Sequence, residues 1–203
     1  MNGPILSIIT VNFNNNLGLL KTLESVSSQS FSSYEHIIID AGSTDGSRET
    51  IIQYEKENPH LSFWSSESDK GIYDGMNKGI DHAKGQYLYF LNSGDCLSQD
   101  ILAKIPFDGT EYLYGDTILF YKRKTKKRVY PDTLDLIYLS DNSLHHQSCF
   151  IHHTLFKDKR YDINYKIISD WAHCFQCLII ENRTYRHLPY ITVSYTHLTL
   201  PTI

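Results

Sequence analysis

Ile5-Leu6-Ser7-Ile8-Ile9-Thr10-Val11, followed at once by Asn12-Phe13-Asn14-Asn15-Asn16, is the stretch from which the fold is read. A continuous run rich in β-branched residues is the pattern of a strand buried on both faces of a parallel sheet. The asparagines after it turn the chain and cap a helix, along which Leu17, Leu20, Leu23 and Val26 recur at helical spacing to about Ser28. The pattern then repeats. His36 to Asp40, with Ile37-Ile38-Ile39, is a second strand, residues 41–46 a turn, and a helix runs to about Glu57. Leu61 to Trp64 is a short third strand, Tyr73 to Lys84 a helix with Met76, Ile80 and Ala83 on one face, and Gln86 to Leu91 a fourth strand. Alternating β and α units with short connections predict an α/β fold. Its mostly parallel central sheet is flanked by helices, and its ligand site lies at the carboxyl ends of the strands.

The second half changes character. Tyr112 to Tyr121 is rich in aromatic and β-branched residues, and six of the seven residues from Lys122 to Arg128 are basic. Two antiparallel strands joined by a solvated basic turn are expected, with attraction to phosphate or a membrane surface as the sharper alternative. Ile168 to Ile180 reads as a helix and Arg186 to Val193 as a closing strand. Neither repeats nor an interdomain linker are visible, so residues 1–193 are taken as one domain. Residues 194–203, Ser-Tyr-Thr-His-Leu-Thr-Leu-Pro-Thr-Ile, lack a sustained pattern and look like translated sequencing-adapter read-through, so they are set apart as a non-native tail.

Composition narrows the function. Nineteen Lys and Arg against 23 Asp and Glu give a net charge of -4 over 203 residues, which leaves no basic field to hold nucleic acid. No apolar run approaches the ~20 residues of a membrane-spanning helix, and no basic leader precedes the first strand, so a cytoplasmic protein is expected. Cys96, Cys149, Cys174 and Cys177 read as reduced thiols. Cys174 and Cys177, with His173 alongside, lack the second ligand pair of a zinc site and read as small apolar residues on a buried helix face.

Three carboxylates fall on the carboxyl edge of the predicted sheet: Asp40 closing the second strand, Asp69 in the loop after the third, and Asp95 after the fourth. Aspartates also suit turns and helix caps, so each alone means little. Phe90-Leu91-Asn92-Ser93-Gly94-Asp95 joins a buried strand to a glycine turn and an acid. Divalent cations such as Mg²⁺ use one or two such carboxylates together with substrate phosphates.

Four stretches in order then carry a resemblance: Ser7 to Asn14, Ile38 to Ser47, Ser66 to Gly79, and Phe90 to Asp95. Together they resemble family 2 glycosyltransferases, the inverting, nucleotide-sugar-dependent group, with a flavour of bacterial colanic acid and exopolysaccharide enzymes. The resemblance implies a glycosyltransferase A-type, Rossmann-like fold with a small antiparallel element in its C-terminal half. Residues 1–100 would bind a UDP- or GDP-sugar donor, and residues 101–193 a glycan or lipid-linked acceptor. Asp40 matches the acid that contacts the nucleobase and Asp69 a second acid of the nucleotide pocket, while Thr10, Asn12 and Asn14 line the same wall. Asn92 and Asp95 match the ends of the acidic metal motif. This chain has Asn and Gly where many members have Asp, so binding of Mn²⁺ or Mg²⁺ rests on Asp95 almost alone.

Inversion also requires a general base for the acceptor hydroxyl. Asp170, in Ser169-Asp170-Trp171, matches that base, and Trp171 offers a surface on which a sugar can stack. The plain alternative is that Asp170 caps its helix. His146 and Gln147 match a pair near the acceptor side, where an imidazole can hydrogen-bond acceptor or diphosphate or ligate metal; a satisfied histidine at a strand edge is the alternative. A second function class is a catalytically degenerate or truncated module that binds nucleotide or glycan. A dinucleotide-dependent dehydrogenase is disfavoured because no Gly-x-Gly-x-x-Gly follows the first strand.

Overall fold

The structure, a computed structural model, describes residues 3–121 and 124–196. Its strands and longer helices run β1 (Leu6–Asn12), α1 (Asn16–Ser27), β2 (Tyr34–Asp40), α2 (Ser47–Glu57), β3 (Leu61–Ser66), α3 (Ile72–His82), β4 (Tyr87–Phe90), β5 (Cys96–Leu97), β6 (Tyr112–Tyr121), β7 (Lys124–Arg128), α4 (Leu136–Asp141), β8 (Cys149–His152), α5 (Ser169–Phe175) and β9 (Tyr185–Thr196). One mixed sheet has the order β3-β2-β1-β4-β8-β6-β9-β5, with β7 paired to β6. β1, β2, β3 and β4 are mutually parallel, whereas β8 runs antiparallel to β4 and to β6.

Every residue of β1 and β2 is buried, as the unbroken apolar pattern requires. Alternate residues serve opposite faces. Ile9, Val11, Ile37 and Ile39 pack with Met76 and Ile80 of α3 and with Cys174, Cys177 and Leu178. On the other face Leu6 and Ile8 meet Val26, and Ile38 meets Leu19, Leu23, Ile51 and Tyr54. Helices thus cover both faces, and β1 and β2 deliver their last residues to a common rim.

Several expectations need correction. In α1 the buried face is Leu19, Thr22, Leu23 and Val26, while Leu17 and Leu20 are exposed. Leu23 and Val26 are buried as the spacing predicts, but the first half of the face is Leu19 and Thr22 instead of Leu17 and Leu20, which periodicity alone does not distinguish. The expected antiparallel pair is present as β6 and β7, but Lys124–Arg128 of the basic run is its second strand rather than the turn, with the lysines exposed while the backbone pairs; Lys122 and Arg123 lie outside the described residues. The helix expected over residues 168–180 is α-helical only to Phe175 and continues as a π-helical turn, Gln176–Ile180. β9 runs past Val193 to Thr196, where Ser194, Tyr195 and Thr196 stand opposite Ile118, Leu119 and Phe120; residues 197–203 lie outside the described residues. β8 and α4 went unread, being four and six residues long, too short for a period to show. Cys174 and Cys177 are buried in the core, and all four cysteines are free thiols.

Candidate active site

Asp40 ends β2 opposite Asn12, the last residue of β1, and is fully buried. Four donors meet its carboxylate. Asn12 Nδ2 (2.7 Å) and Ser43 Oγ (2.5 Å) donate to Oδ1; Ser43 N (2.9 Å) and Ser66 Oγ (2.6 Å) donate to Oδ2. Burial pushes the pKa of this group up, but the hydrogen bonds from Ser43, Ser66 and Asn12 outweigh it and hold Asp40 below the usual carboxylate value. Asn14, at φ 46°, donates its amide to Ser43 Oγ (2.8 Å) and accepts from the Thr44 amide (2.9 Å), lacing the β1–α1 loop to the β2–α2 loop. Thr10 sits one pleat deeper, fully buried, with Oγ1 2.9 Å from His36 Nε2. It therefore joins the sheet interior, and Asn12, Asn14 and Asp40 form the rim.

Asp69 takes one hydrogen bond, from the Gly71 amide (2.9 Å). Burial raises its pKa and the Gly71 bond offsets only part of that, with Asp74 and Asp40 adding repulsion and Lys78 attraction. The carboxylates at Asp40 and Asp69 are thus neighbours pushed in opposite directions.

The loop after β4 is clamped by α1. Gly94, at φ 101°, supplies the left-handed turn. Its amide donates to Thr22 Oγ1 (2.9 Å), which itself donates to Asp95 O (2.8 Å), and Asn15 Nδ2 donates to Ser93 O (2.9 Å). Asp95 is buried, and Gln147 Nε2 donates to its Oδ2 (3.2 Å).

The C-terminal half closes on this loop. His146 places Nε2 3.1 Å from Asn92 Nδ2 and Nδ1 2.8 Å from Asp170 Oδ2. Asp170 Oδ1 accepts from Tyr73 Oη (2.7 Å) and from the Trp171 amide (2.9 Å). Burial raises the Asp170 pKa, yet the bond and charge of His146, with Tyr73 and Trp171, bring it below the ordinary value. Asp170 is the second residue of α5, and no side chain caps that helix. Asp170 is thus not the N-cap residue, although its carboxylate satisfies the first-turn amide of Trp171. Trp171 is oriented by Nε1 donating to Leu139 O (2.8 Å) in α4.

A family model described as glycosyl transferase family 2 matches residues 7–156, a span that runs from the start of β1 through His146 and Gln147. The chain belongs to glycosyltransferase family 2. An uncharacterized glycosyltransferase of Mycobacterium tuberculosis is 42% identical to this family 2 chain over 103 residues, which are 50% of the chain and 38% of that relative. A PGL/p-HBAD biosynthesis glycosyltransferase of Mycobacterium tuberculosis is 28% identical over 203 residues, covering 96% of the chain and 78% of the relative. Among solved structures, S. aureus TarS (residues 1–349) in complex with UDP superposes with a TM-score of 0.78 at 18% identity, covering 94% of the chain and 60% of that structure. The likeness establishes a glycosyltransferase A-like fold for this family 2 chain. The chain spans well under half the length of the first M. tuberculosis relative.

A divalent cation is tested by the donors present. Asn92 Oδ1 is a buried amide oxygen with no hydrogen-bond partner, on the same clamped loop as Asp95. Among the described residues no group of three or more His, Cys, Asp or Glu side chains could hold a metal. One carboxylate and one orphaned amide oxygen fit a cation that shares its coordination with a diphosphate, rather than one caged by protein. Residue patterns alone missed Tyr73, Ser43, Ser66 and Thr22. Tyr73 lay inside the quoted Ser66 to Gly79 stretch, but its partner is 97 positions away, and only folding reveals the pair.

Proposed function

We propose that this family 2 glycosyltransferase moves a sugar from a UDP- or GDP-sugar to an acceptor hydroxyl with inversion, in the synthesis of a bacterial cell-surface glycan. The observation that carries the reading is the bridge made by His146, which touches Asn92 of the donor-side loop and Asp170 of the acceptor-side helix. Reactions at an anomeric carbon need a leaving group on one side and a proton acceptor on the other, and this bridge brings the two halves to that separation of roles. Fold neighbours support the donor class: TarS was solved with UDP and with UDP-GlcNAc, and a Pyrobaculum calidifontis mannosyltransferase with GDP-Man and Mn²⁺. Relatives named for PGL/p-HBAD and teichuronic acid biosynthesis support the product class.

In this mechanism Asp170 is the base. Held ionised by His146, Tyr73 and the Trp171 amide, it takes the acceptor proton as the hydroxyl oxygen bonds to the anomeric carbon. The bond from that carbon to the diphosphate oxygen breaks on the opposite face, and its electron pair leaves with the diphosphate. His146 acts as a positioning residue: its Nδ1–H fixes Oδ2 of Asp170, while Nε2 lies 3.1 Å from Asn92 Nδ2. Asn12, Asn14, Asp40 and Asp69 form the wall for base and ribose, with Thr10 supporting it from beneath. Because four donors already fill Asp40, a nucleobase N–H would take the place of one of them. The hydroxyls of Ser43 and Ser66 are the donors that can rotate away. A divalent cation, when bound, neutralises charge on the leaving diphosphate, and Asp95 with Asn92 Oδ1 would hold it. Gln147 orients Asp95.

Calorimetric titration of UDP and GDP, with and without Mn²⁺ or Mg²⁺, tests the reading. Binding should require metal and be lost in Asp95→Ala, whereas Asp170→Ala should bind nucleotide normally yet transfer no sugar. Nucleotide binding without donor hydrolysis or transfer by the parent chain would instead favour a degenerate binding module, the reading suggested by Asn92 and Gly94 standing where many members carry acids.

A further inference from the structure

We infer that the face around Asp170 docks on an anionic lipid bilayer. The docking is argued from the surface itself; only its consequence, that the acceptor side then opens toward a lipid-linked substrate, rests on the proposed transfer reaction.

Two segments next to the base are apolar without being packed. Residues 162–168, immediately before α5, are exposed throughout, with Ile163, Tyr165, Ile167 and Ile168 between 40% and 71% accessible. On α4, Leu139 supplies the buried anchor while Leu136 and Ile137 remain 57% and 75% accessible. Both segments border the site: Tyr73 Oη lies 2.7 Å from Ile167 O, and Trp171 Nε1 donates to Leu139 O (2.8 Å). Six large apolar side chains, on two segments that each border the site, stand in solvent as an apolar patch that core packing does not explain.

Charge says what covers it. β8 runs antiparallel to β4, and β6 antiparallel to β8, so β6 points the same way as β4 and its far end lies at the carboxyl edge with the site. β7 turns back from that edge, pairs only with β6 among the described strands, and exposes Lys124, Lys126 and Lys127. Lys127 is paired with Asp116 (3.4 Å), leaving Lys124 and Lys126 to the solvent. Arg128 Nη2 donates to Asn142 Oδ1 (3.2 Å) at the end of α4, which ties the basic strand to the apolar patch. Lys166 lies within the exposed loop; of the acids on these segments, Asp135 and Asp162 are engaged with the Tyr138 and Asn164 amides, and Asp141 is exposed. In a chain of net charge -4 the positive charge is thus concentrated on β7, beside α4, while the apolar segments carry Asp135, Asp141 and Asp162 against Lys166. An acidic polymer would account for the lysines but not the isoleucines, and a second copy for the isoleucines but not the lysines. A bilayer with anionic headgroups satisfies both, with isoleucines at the acyl boundary and Tyr165 and the lysines at headgroup level.

The test is sedimentation of the full chain with vesicles of phosphatidylcholine, alone or mixed with phosphatidylglycerol. The protein should partition onto the mixed vesicles only and be released by high salt. Lys124→Gln with Lys126→Gln should weaken partition about twenty-five-fold, at about fivefold per lysine, and Ile137→Ser with Ile167→Ser about tenfold. Nucleotide binding should be unchanged in both pairs. The inference is overturned by no partition, by partition that neither pair weakens, by equal binding to a lipid-free acidic polysaccharide, or by a dimer in light scattering that the isoleucine pair dissolves. If the parent chain binds vesicles but neither UDP nor GDP, the docking stands and the transferase reading falls.

Discussion

Asp170 is held by three donors from three parts of the chain, so its replacements separate chemistry from architecture. Asp170→Asn should lower kcat about a hundred- to ten-thousandfold, as loss of a general base does, with nucleotide affinity intact. His146→Ala should lower kcat about a hundredfold through misplacement of that carboxylate, with little change in KM for the donor. His146→Asn, whose amide can replace the Nδ1–H donor, should recover part of the loss, and no recovery would show that His146 does more than position. Asp40 is a different case, a buried carboxylate with a lowered pKa. Its stabilising bonds are present above the unfolded carboxylate value and are lost as pH falls through the lower folded value. Asp40→Ala should thus cost about 3 kcal/mol in urea unfolding at neutral pH, with a gap to the parent that narrows in acid. A gap independent of pH would mean that the carboxylate charge contributes nothing. The acids at 40, 69 and 95 were legible as rim residues, because a strand end or the loop after it announces itself locally, whereas Asp170 was singled out only through the family resemblance. Their donors were not, since Ser66, Tyr73 and His146 reach them only across the fold.

At the scale of elements, α3 lies against β1 by close approach. A Cβ on Gly79 would collide with Cγ2 of buried Ile9, whose branch at Cβ gives it no flexible end to move aside. Gly79→Ala gains about 1 kcal/mol of helix propensity, yet overpacking should leave it destabilised by about 1–3 kcal/mol, measured as a lower denaturation midpoint at unchanged m-value. A neutral or stabilised variant would show that α3 shifts freely. Because α3 carries Tyr73 at its start, the same variant should also disturb the hydrogen bond to Asp170. Thr22 ties α1 to the loop bearing Asp95 through two bonds, so Thr22→Val should weaken metal-dependent nucleotide binding more than it weakens the fold. Helices α2 and α3 and strands β1, β2 and β4 were readable from their patterns because each is amphipathic or fully buried over several residues, and β3, only partly buried, from its short run Leu61 to Trp64. α1 was found in the right place with half of its buried face, α4 and β8 were missed, and the residues of the outer strand β7 were assigned to a turn. Their stability comes from neighbours rather than from a local period.

Over the whole molecule, two imidazoles are locked inside neutral. Burial, with repulsion from His60, lowers the His36 pKa to about 3. Burial, partly offset by the Leu155 carbonyl, lowers that of His173 to about 4. The unfolded chain takes up protons at both from about pH 6.5 downward while the folded chain does not. Stability therefore falls as pH drops from about 6.5 toward 4, by up to about 1.4 kcal/mol per pH unit for each histidine. Urea midpoints at several pH values should show this slope, and His36→Gln should flatten it; an unchanged slope in that variant would move the acid sensitivity elsewhere. By itself the sequence determined the α/β class, the four parallel strands in their order along the chain, the carboxyl-edge acids and the family, because buried strands and turn residues write their state into neighbouring positions. Only the tertiary structure decided that β8 enters between β4 and β6, that β9 returns parallel to β6, and that His146 spans Asn92 and Asp170. Those choices depend on contacts between residues far apart in the chain. Their free energy exists only once the sheet has closed around them, and no local pattern records it.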